Sequence, residues 1–94
     1  MIHGRQVVAT VGYPVQVSQD GTLWGQITFQ ALYANTGYVA IGGPNVRAST
    51  GSQNALLLKG GTSLERQVFS NLRLSDLWLD STVADEGVAF VCED

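Results

Sequence analysis

His3 and Cys92 are the single histidine and the single cysteine of the chain, and they are the first residues to weigh for catalysis. A Ser-His-Asp or Cys-His arrangement needs a histidine held in a fixed geometry, whereas His3 lies near the N-terminus, where chains tend to fray. A reactive thiol needs positive charge beside it, whereas Cys92 is followed by Glu93 and Asp94. We therefore expect a solvated or interface histidine, a buried and inert cysteine, and no catalytic residue.

The acidic residues Asp80, Asp85 and Glu86 are the next candidates for chemistry. A glycosidase needs two carboxylates that face each other across a cleft, and neighbours in a turn rarely do so. The calcium-loop pattern of alternating Asp or Asn positions ending in Glu is absent. The run at residues 59–63 has Lys before its glycines, the reverse of a phosphate-binding P-loop, and reads as a hairpin loop. The sequence thus predicts no metal site and no cofactor.

Trp24 and Trp78 are the two tryptophans, and each is flanked by residues typical of strands. A tryptophan contributes a large apolar area, so most are found in a core or an interface. An exposed pair would instead stack on sugar rings, with the acidic stretch from Asp80 to Glu86 completing the site. A carbohydrate-binding β-sandwich is therefore one alternative function.

Charged residues make up only 14% of the 94 residues, compared with about a quarter in ordinary soluble domains. A neutral polar surface loses little on desolvation, since interface cores are depleted in charge, and this favours contacts with other protein. The net charge of −3, with only five Lys and Arg, argues against nucleic-acid binding. No apolar stretch is long enough to cross a bilayer, and no signal peptide is visible at the N-terminus. We expect a soluble protein that acts by binding.

The elements that must position these residues are short apolar and β-branched runs, separated by Gly, Asn, Asp and Pro clusters. This pattern predicts one all-β domain over residues 1–94, a small antiparallel β-sandwich or jelly-roll-like barrel of about seven to eight short strands. The first strand is expected over Gln6 to Tyr13, with residues 1–5 a flexible N-terminal arm. Asp20-Gly21 indicates a hairpin turn before the longest strand, in which Leu23, Ile27, Phe29, Ala31 and Tyr33 share one face.

Later segments carry weaker signals. Val46 to Ala48 is expected to form a short strand, and Asp85 to Gly87 to lie in the loop before the last strand. Leu64 to Leu74 has some helical spacing, but a strand is favoured because the rest of the chain offers sheets to pair with. A short helical turn is expected near Asn71 to Asp76.

From Thr36 onward the chain carries a series of β-rich turn motifs that resembles small structural proteins of tailed-phage virions. The residues that carry the resemblance are Thr36 to Gly43, Val46 to Gly51, Leu56 to Leu58, Asn71-Leu72, Asp76 to Asp80 and Gly87 to Phe90. The resemblance implies a head decoration or cement protein, a small β-sandwich on the capsid lattice, often trimeric. Tail-tube, fibre-base and connector proteins are the neighbouring alternatives.

The resemblance therefore implies a non-enzymatic virion protein that binds copies of itself, with a trimer favoured, and the phage major capsid protein. It would be assembled in the host cytoplasm and stabilise the assembled head by binding it. A small enzyme is the least favoured class. The candidate interface residues are Met1, Ile2, His3, Arg5, Trp24, Arg47 and Trp78.

Overall fold

The computed structural model describes residues 2–48, 55–59 and 66–93. Eight strands and one 3-10 helix make up the described chain, and the strands are numbered in chain order. They are β1 (Ile2–Val8), β2 (Val15–Gln16), β3 (Leu23–Ala31), β4 (Tyr38–Gly42), β5 (Ala55–Lys59), β6 (Arg66–Arg73), β7 (Trp78–Ser81) and β8 (Glu86–Glu93), with the 3-10 helix at Leu74–Asp76. The predicted loop at residues 60–63 lies outside the described residues.

The strands form two antiparallel sheets of four strands each. The first sheet has the order β1-β8-β3-β6 and the second sheet the order β2-β7-β4-β5. Strands pair from the ends of the chain inward: β1 with β8, β2 with β7, β3 with β6, and β4 with β5. These four nested pairs amount to one long hairpin. When the hairpin wraps around itself, it adds the β3–β8 and β4–β7 pairs, and both are present. This order defines an eight-stranded jelly roll, so the predicted fold class is confirmed.

The core lies between the inner faces of the two sheets. Phe29 is fully buried at its centre, with its ring 5.6 Å from that of Phe69 and 6.2 Å from that of Phe90. Ile41 and Leu79 pack against this cluster from the second sheet. Each such side chain contributes about 1.5–3 kcal/mol when fully buried, so this layer holds the sheets together.

The β3–β6 pair changes face partway along. Trp24 and Ile27 are both buried although they lie three positions apart, and Phe69 and Leu72, which pack against the core from β6, show the same spacing. Asn71 lies at the change with φ of 57°, a left-handed conformation that asparagine tolerates better than most residues. The register is the same on both sides, so both strands switch faces together and Trp24 turns into the core.

The predicted flexible arm is corrected for residues 2–5. Ile2 to Arg5 pair with Ala89 to Cys92 as part of β1, and the chain leaves the strand after Val8 instead of at Tyr13. The partner strand is more than eighty residues away in sequence, so no local pattern could reveal it. Met1 lies outside the described residues.

The predicted hairpin at Asp20-Gly21 is also corrected. The chain here crosses from β2 in the second sheet to β3 in the first, and neither residue has positive φ. The Asp20 carboxylate instead accepts a hydrogen bond from the Thr22 N–H at 2.9 Å, which makes a local turn. Asp20 therefore supports a crossover between the sheets.

Four smaller expectations differ from the structure. Val46 to Ala48 form no strand, although both end residues are buried. Glu86 and Gly87 begin β8 and do not lie in the preceding loop. Leu23 and Tyr33 are 54% and 69% exposed, because the change of face moves Leu23 outward and β3 ends before Tyr33.

Two expectations for the third quarter of the chain are confirmed. β6 is a strand and not a helix, and the helical turn follows it at Leu74–Asp76. Because β6 pairs along its whole length with β3, the sheet decides its conformation over its helical spacing.

Candidate functional site

The outer face of the first sheet is a flat surface open to solvent. One row across it runs His3, Val91, Thr28 and Val68, and the next runs Arg5, Ala89, Gln30 and Arg66. Val68 and Val91 are 47% and 37% exposed. Since neighbouring strands are about 4.8 Å apart, each row spans about 14 Å. We call this surface the open face.

The open face has an apolar centre with basic flanks. Val91, Thr28 and Val68 are adjacent on three neighbouring strands, while Arg5 and Arg66 stand on the two outermost strands. Apolar patches rimmed by polar groups are typical of protein interaction sites. The chemistry of this surface suits contact with another protein.

On the outer face of the second sheet, loops cover the strands β4 and β7. Trp78 packs half-buried against Ala40, Val46 and Ala48 on that side. The buried Asp80 carboxylate holds the covering loops, accepting hydrogen bonds from the Gly12 N–H and the Ala48 N–H, both at 2.9 Å. The two outer faces therefore differ. The outer side of β4 and β7 carries a second small core, whereas the outer face of the first sheet is open to solvent.

A groove of about 540 Å³ opens beside the far end of the open face. Its walls come from β1 at Arg5 and Val7, from the turn at residues 32–35, and from residues 84–86. The groove thus lies where β3 ends and β8 begins.

Glu86 and Asn35 hold the walls of this groove in place. The Glu86 carboxylate accepts hydrogen bonds from the Thr36 N–H at 2.6 Å, the Thr36 hydroxyl at 2.9 Å and the Gly37 N–H at 3.0 Å. Burial alone raises the pKa of Glu86, but these bonds to the charged form outweigh it, and the pKa lies below its ordinary value. The Asn35 amide donates to the Gly87 carbonyl at 2.7 Å and accepts from its N–H at 3.3 Å.

The structure separates the interface residues expected from the sequence. His3 and Arg5 stand exposed on the open face, and Ile2 is exposed beside them at the end of β1. Arg47 is exposed on the loop that covers the second sheet, where it donates to the Val46 carbonyl at 2.8 Å. Met1 lies outside the described residues.

Trp24 is corrected from a surface residue to a core residue. It is 7% exposed and its indole N–H donates to the Asp20 carboxylate at 3.3 Å. Trp78 is half-buried on the opposite side of the sandwich. The two rings lie on different sheets, so the structure does not form the sugar-stacking pair.

The cysteine expectation is met. Cys92 is fully buried on the inner face of β8, and burial raises the pKa of its thiol, with the Asp20 charge adding to the rise. The thiol is therefore protonated at neutral pH and packs as a small apolar side chain.

Sequence reasoning missed Arg66, Val68 and Val91 on the open face, and Tyr33 in the groove. The signal for the first three was available, because Arg66, Val68 and Ser70 alternate with Gln67 and Phe69. What the alternation does not reveal is which face stays uncovered.

Within residues 2–48, 55–59 and 66–93, no cluster of three or more His, Cys, Asp or Glu side chains is placed to hold a metal ion. The same residues contain no helix long and apolar enough to cross a membrane. No family model, curated protein or solved structure matches the chain. The fold and its surfaces therefore carry the functional argument.

Proposed function

We propose that this chain is a non-enzymatic structural protein of a tailed-phage virion, a decoration or cement protein that docks on the assembled head through its open face. The observation that carries the proposal is the difference between the two outer faces. Loops cover β4 and β7 of the second sheet, while the first sheet presents an apolar row next to a row with an arginine at each end. Val68 and Val91 are exposed and would gain from burial against a partner.

The charges of the open face favour an acidic partner. Arg5 and Arg66 stand at the two ends of one row, and Glu93 is the acid of the neighbouring row. These rows carry two arginines and one acid, so two copies packed by this face would bring two net positive surfaces together, which is unfavourable. We therefore assign the open face to the capsid surface, not to a second copy.

Self-association would use the sheet edges. Within the described chain β1 and β6 form the two edges of the first sheet, each pairing with one neighbour. Pairing β1 of one copy with β6 of the next joins two different surfaces, and such a head-to-tail contact forms a ring when the rotation between copies closes. A trimeric ring is the assembly we favour, with three open faces available to the shell.

Cosedimentation with purified heads and purified tails of the phage that encodes the chain tests the docking. We expect binding to heads, and Arg66→Glu to weaken it about tenfold or more because it places an acid against an acidic surface. Arg47→Glu makes the same change of charge on the other sheet and is the matched control. Val91→Glu and Val11→Glu form a second pair, since these valines are 37% and 38% exposed.

Binding to tails alone would contradict the head assignment and place the protein with tail or fibre components. Equal loss with Arg66→Glu and Arg47→Glu would contradict docking by the open face. Light scattering across a dilution series tests the ring: a mass of three chains supports it, and a monomer at every concentration contradicts it.

A further inference from the structure

The groove beside the open face has the size and shape of a small-molecule site. Its volume of about 540 Å³ lies within the range of pockets that hold small ligands, about 300–1,000 Å³. Val7, Leu32 and Ala84 supply an apolar lining, and Asn35 and Glu86 fix the walls through bonds across the turn. The groove is thus held open by buried polar contacts.

Three polar side chains of the groove face solvent. Tyr33 is 69% exposed, and Arg5 on β1 and Asp85 in the turn before β8 are also exposed. Among the described residues none of these three side chains makes a hydrogen bond, whereas Glu86 and Asn35 are fully engaged. The groove therefore offers an aromatic ring, a donor-only guanidinium and an acceptor-only carboxylate.

Asp85 is held in an unusual backbone conformation at this position. Its φ is 65°, and its N–H donates to the Val8 carbonyl at 2.8 Å, which ties the turn to the end of β1. Glycine adopts this conformation without cost, whereas aspartate only tolerates it. The chain thus presents a carboxylate where a glycine would be easier to accommodate.

We infer that this groove is a saccharide-binding site, with Tyr33 stacking on the C–H face of a sugar ring while Asp85 and Arg5 bond its hydroxyls. A hydroxyl both donates and accepts, so neighbouring hydroxyls satisfy a carboxylate and a guanidinium together. Asp85 would repel an anionic ligand, and Arg5 would repel a cationic one. A neutral polyhydroxylated ligand is the class that uses all three groups.

The site shares Arg5 with the open face, so the test below changes only groove residues that lie outside the docking rows. These are Tyr33 and Asp85, which lie on turns. A chain that binds sugar and not heads, or heads and not sugar, would separate the two proposals.

Amide-resonance NMR of the full chain, titrated separately with disaccharides of glucose, galactose, mannose and N-acetylglucosamine, tests the inference. We expect at least one of them to shift resonances of residues 32–35 and 84–87. Tyr33→Ala should weaken that binding about tenfold, while Tyr33→Phe keeps it because the ring face makes the contact. Tyr13→Ala is the matched control, since Tyr13 is 73% exposed on a different loop.

Asp85→Gly separates binding from stability. It removes the carboxylate and relieves the positive φ, so it should abolish the sugar response while the melting temperature stays level or rises. The inference is overturned if none of the four sugars shifts the groove resonances. It is equally overturned if Tyr13→Ala weakens binding as much as Tyr33→Ala, or if Asp85→Gly binds like the parent chain.

Discussion

Glu86 and Asp80 are the buried carboxylates that hold loops to the sandwich, one at each sheet. Asp80 fastens loops over the second sheet through two backbone N–H groups, and Glu86 fastens the turn after β3 to the start of β8. A carboxylate can accept several such bonds, and a buried N–H left without one is costly. These two acids therefore hold loops in place, and Glu86 does so in the wall of the groove.

Replacing Glu86 with Gln tests this role. An amide cannot accept on both sides as a carboxylate does, so the Thr36 or Gly37 N–H loses its partner, and we expect a loss of about 1–3 kcal/mol in unfolding free energy. Denaturant unfolding of the variant and of Asp76→Asn, an exposed acid in the 3-10 helix, measures the difference. Equal stability of the two variants would contradict the assignment.

The same residue makes stability depend on pH in a defined direction. The folded pKa of Glu86 lies below its unfolded value, so its contribution is complete above the ordinary glutamate pKa, about 4.3, and is lost as pH falls through the lower folded pKa. The pKa of Asp20 is also lowered, chiefly by its hydrogen bond from the Thr22 N–H, so Asp20 too makes the fold less stable as pH falls. Melting temperature should fall below about pH 4 less steeply in Glu86→Gln than in the parent chain.

At the scale of the elements, β1 and β8 approach each other so closely at Gly87 that a side chain at this position would not fit. A Cβ on Gly87 would overlap the Gln6 carbonyl oxygen and the Val7 Cα. The backbone N–H and carbonyl of Gly87 also both form hydrogen bonds with the Asn35 amide. This residue therefore joins an edge strand, a central strand and a turn.

Gly87→Ala should destabilise the fold by about 3 kcal/mol, because backbone atoms cannot move aside as a flexible side chain can. Gly21→Ala is the control, since its Cβ would meet no atom within 4 Å and its φ is not positive. Thermal unfolding followed by circular dichroism measures both variants. A Gly21→Ala variant as unstable as Gly87→Ala would show that the close approach is not the cause.

At the scale of the whole molecule, the jelly roll closes by pairing its first strand with its last. β8 lies between β1 and β3, and its inner face carries Val88, Phe90 and Cys92 of the core. Without β1, β8 becomes a bare edge beside exposed core side chains. Both ends of the chain are needed for a closed sandwich.

Deleting residues 1–5 should therefore abolish a sharp unfolding transition and expose apolar surface. Differential scanning calorimetry and binding of the dye ANS measure these two effects. Replacing Ile2, His3 and Arg5 with Val or Thr is the control, because it keeps the backbone pairing with β8. Gly4 is kept, since a Cβ there would lie 3.0 Å from the Phe90 ring. A shortened chain that melts sharply at the parent temperature would show that these residues are a flexible arm and do not stabilise the fold.

The class of fold was predictable from the sequence because alternation and turn residues act locally. Ile27, Phe29 and Ala31 alternate with polar neighbours, and the buried state of Cys92 follows from the same pattern in β8. The strand at Arg66–Arg73 is favoured over a helix on a different ground, because the rest of the chain offers sheets to pair with. Local pattern thus determined which segments are strands and most of the side chains that face the core.

Tertiary structure alone decided the strand order, the uncovered face and the groove. The β1–β8 pair joins residues at opposite ends of the chain, and the change of face at Asn71 that buries Trp24 needs β3 and β6 to switch together. The groove brings Arg5, Tyr33 and Asp85 together from three separate segments. Such pairings depend on contacts between distant residues, and a pattern of near neighbours carries no information about which distant strand will be the partner.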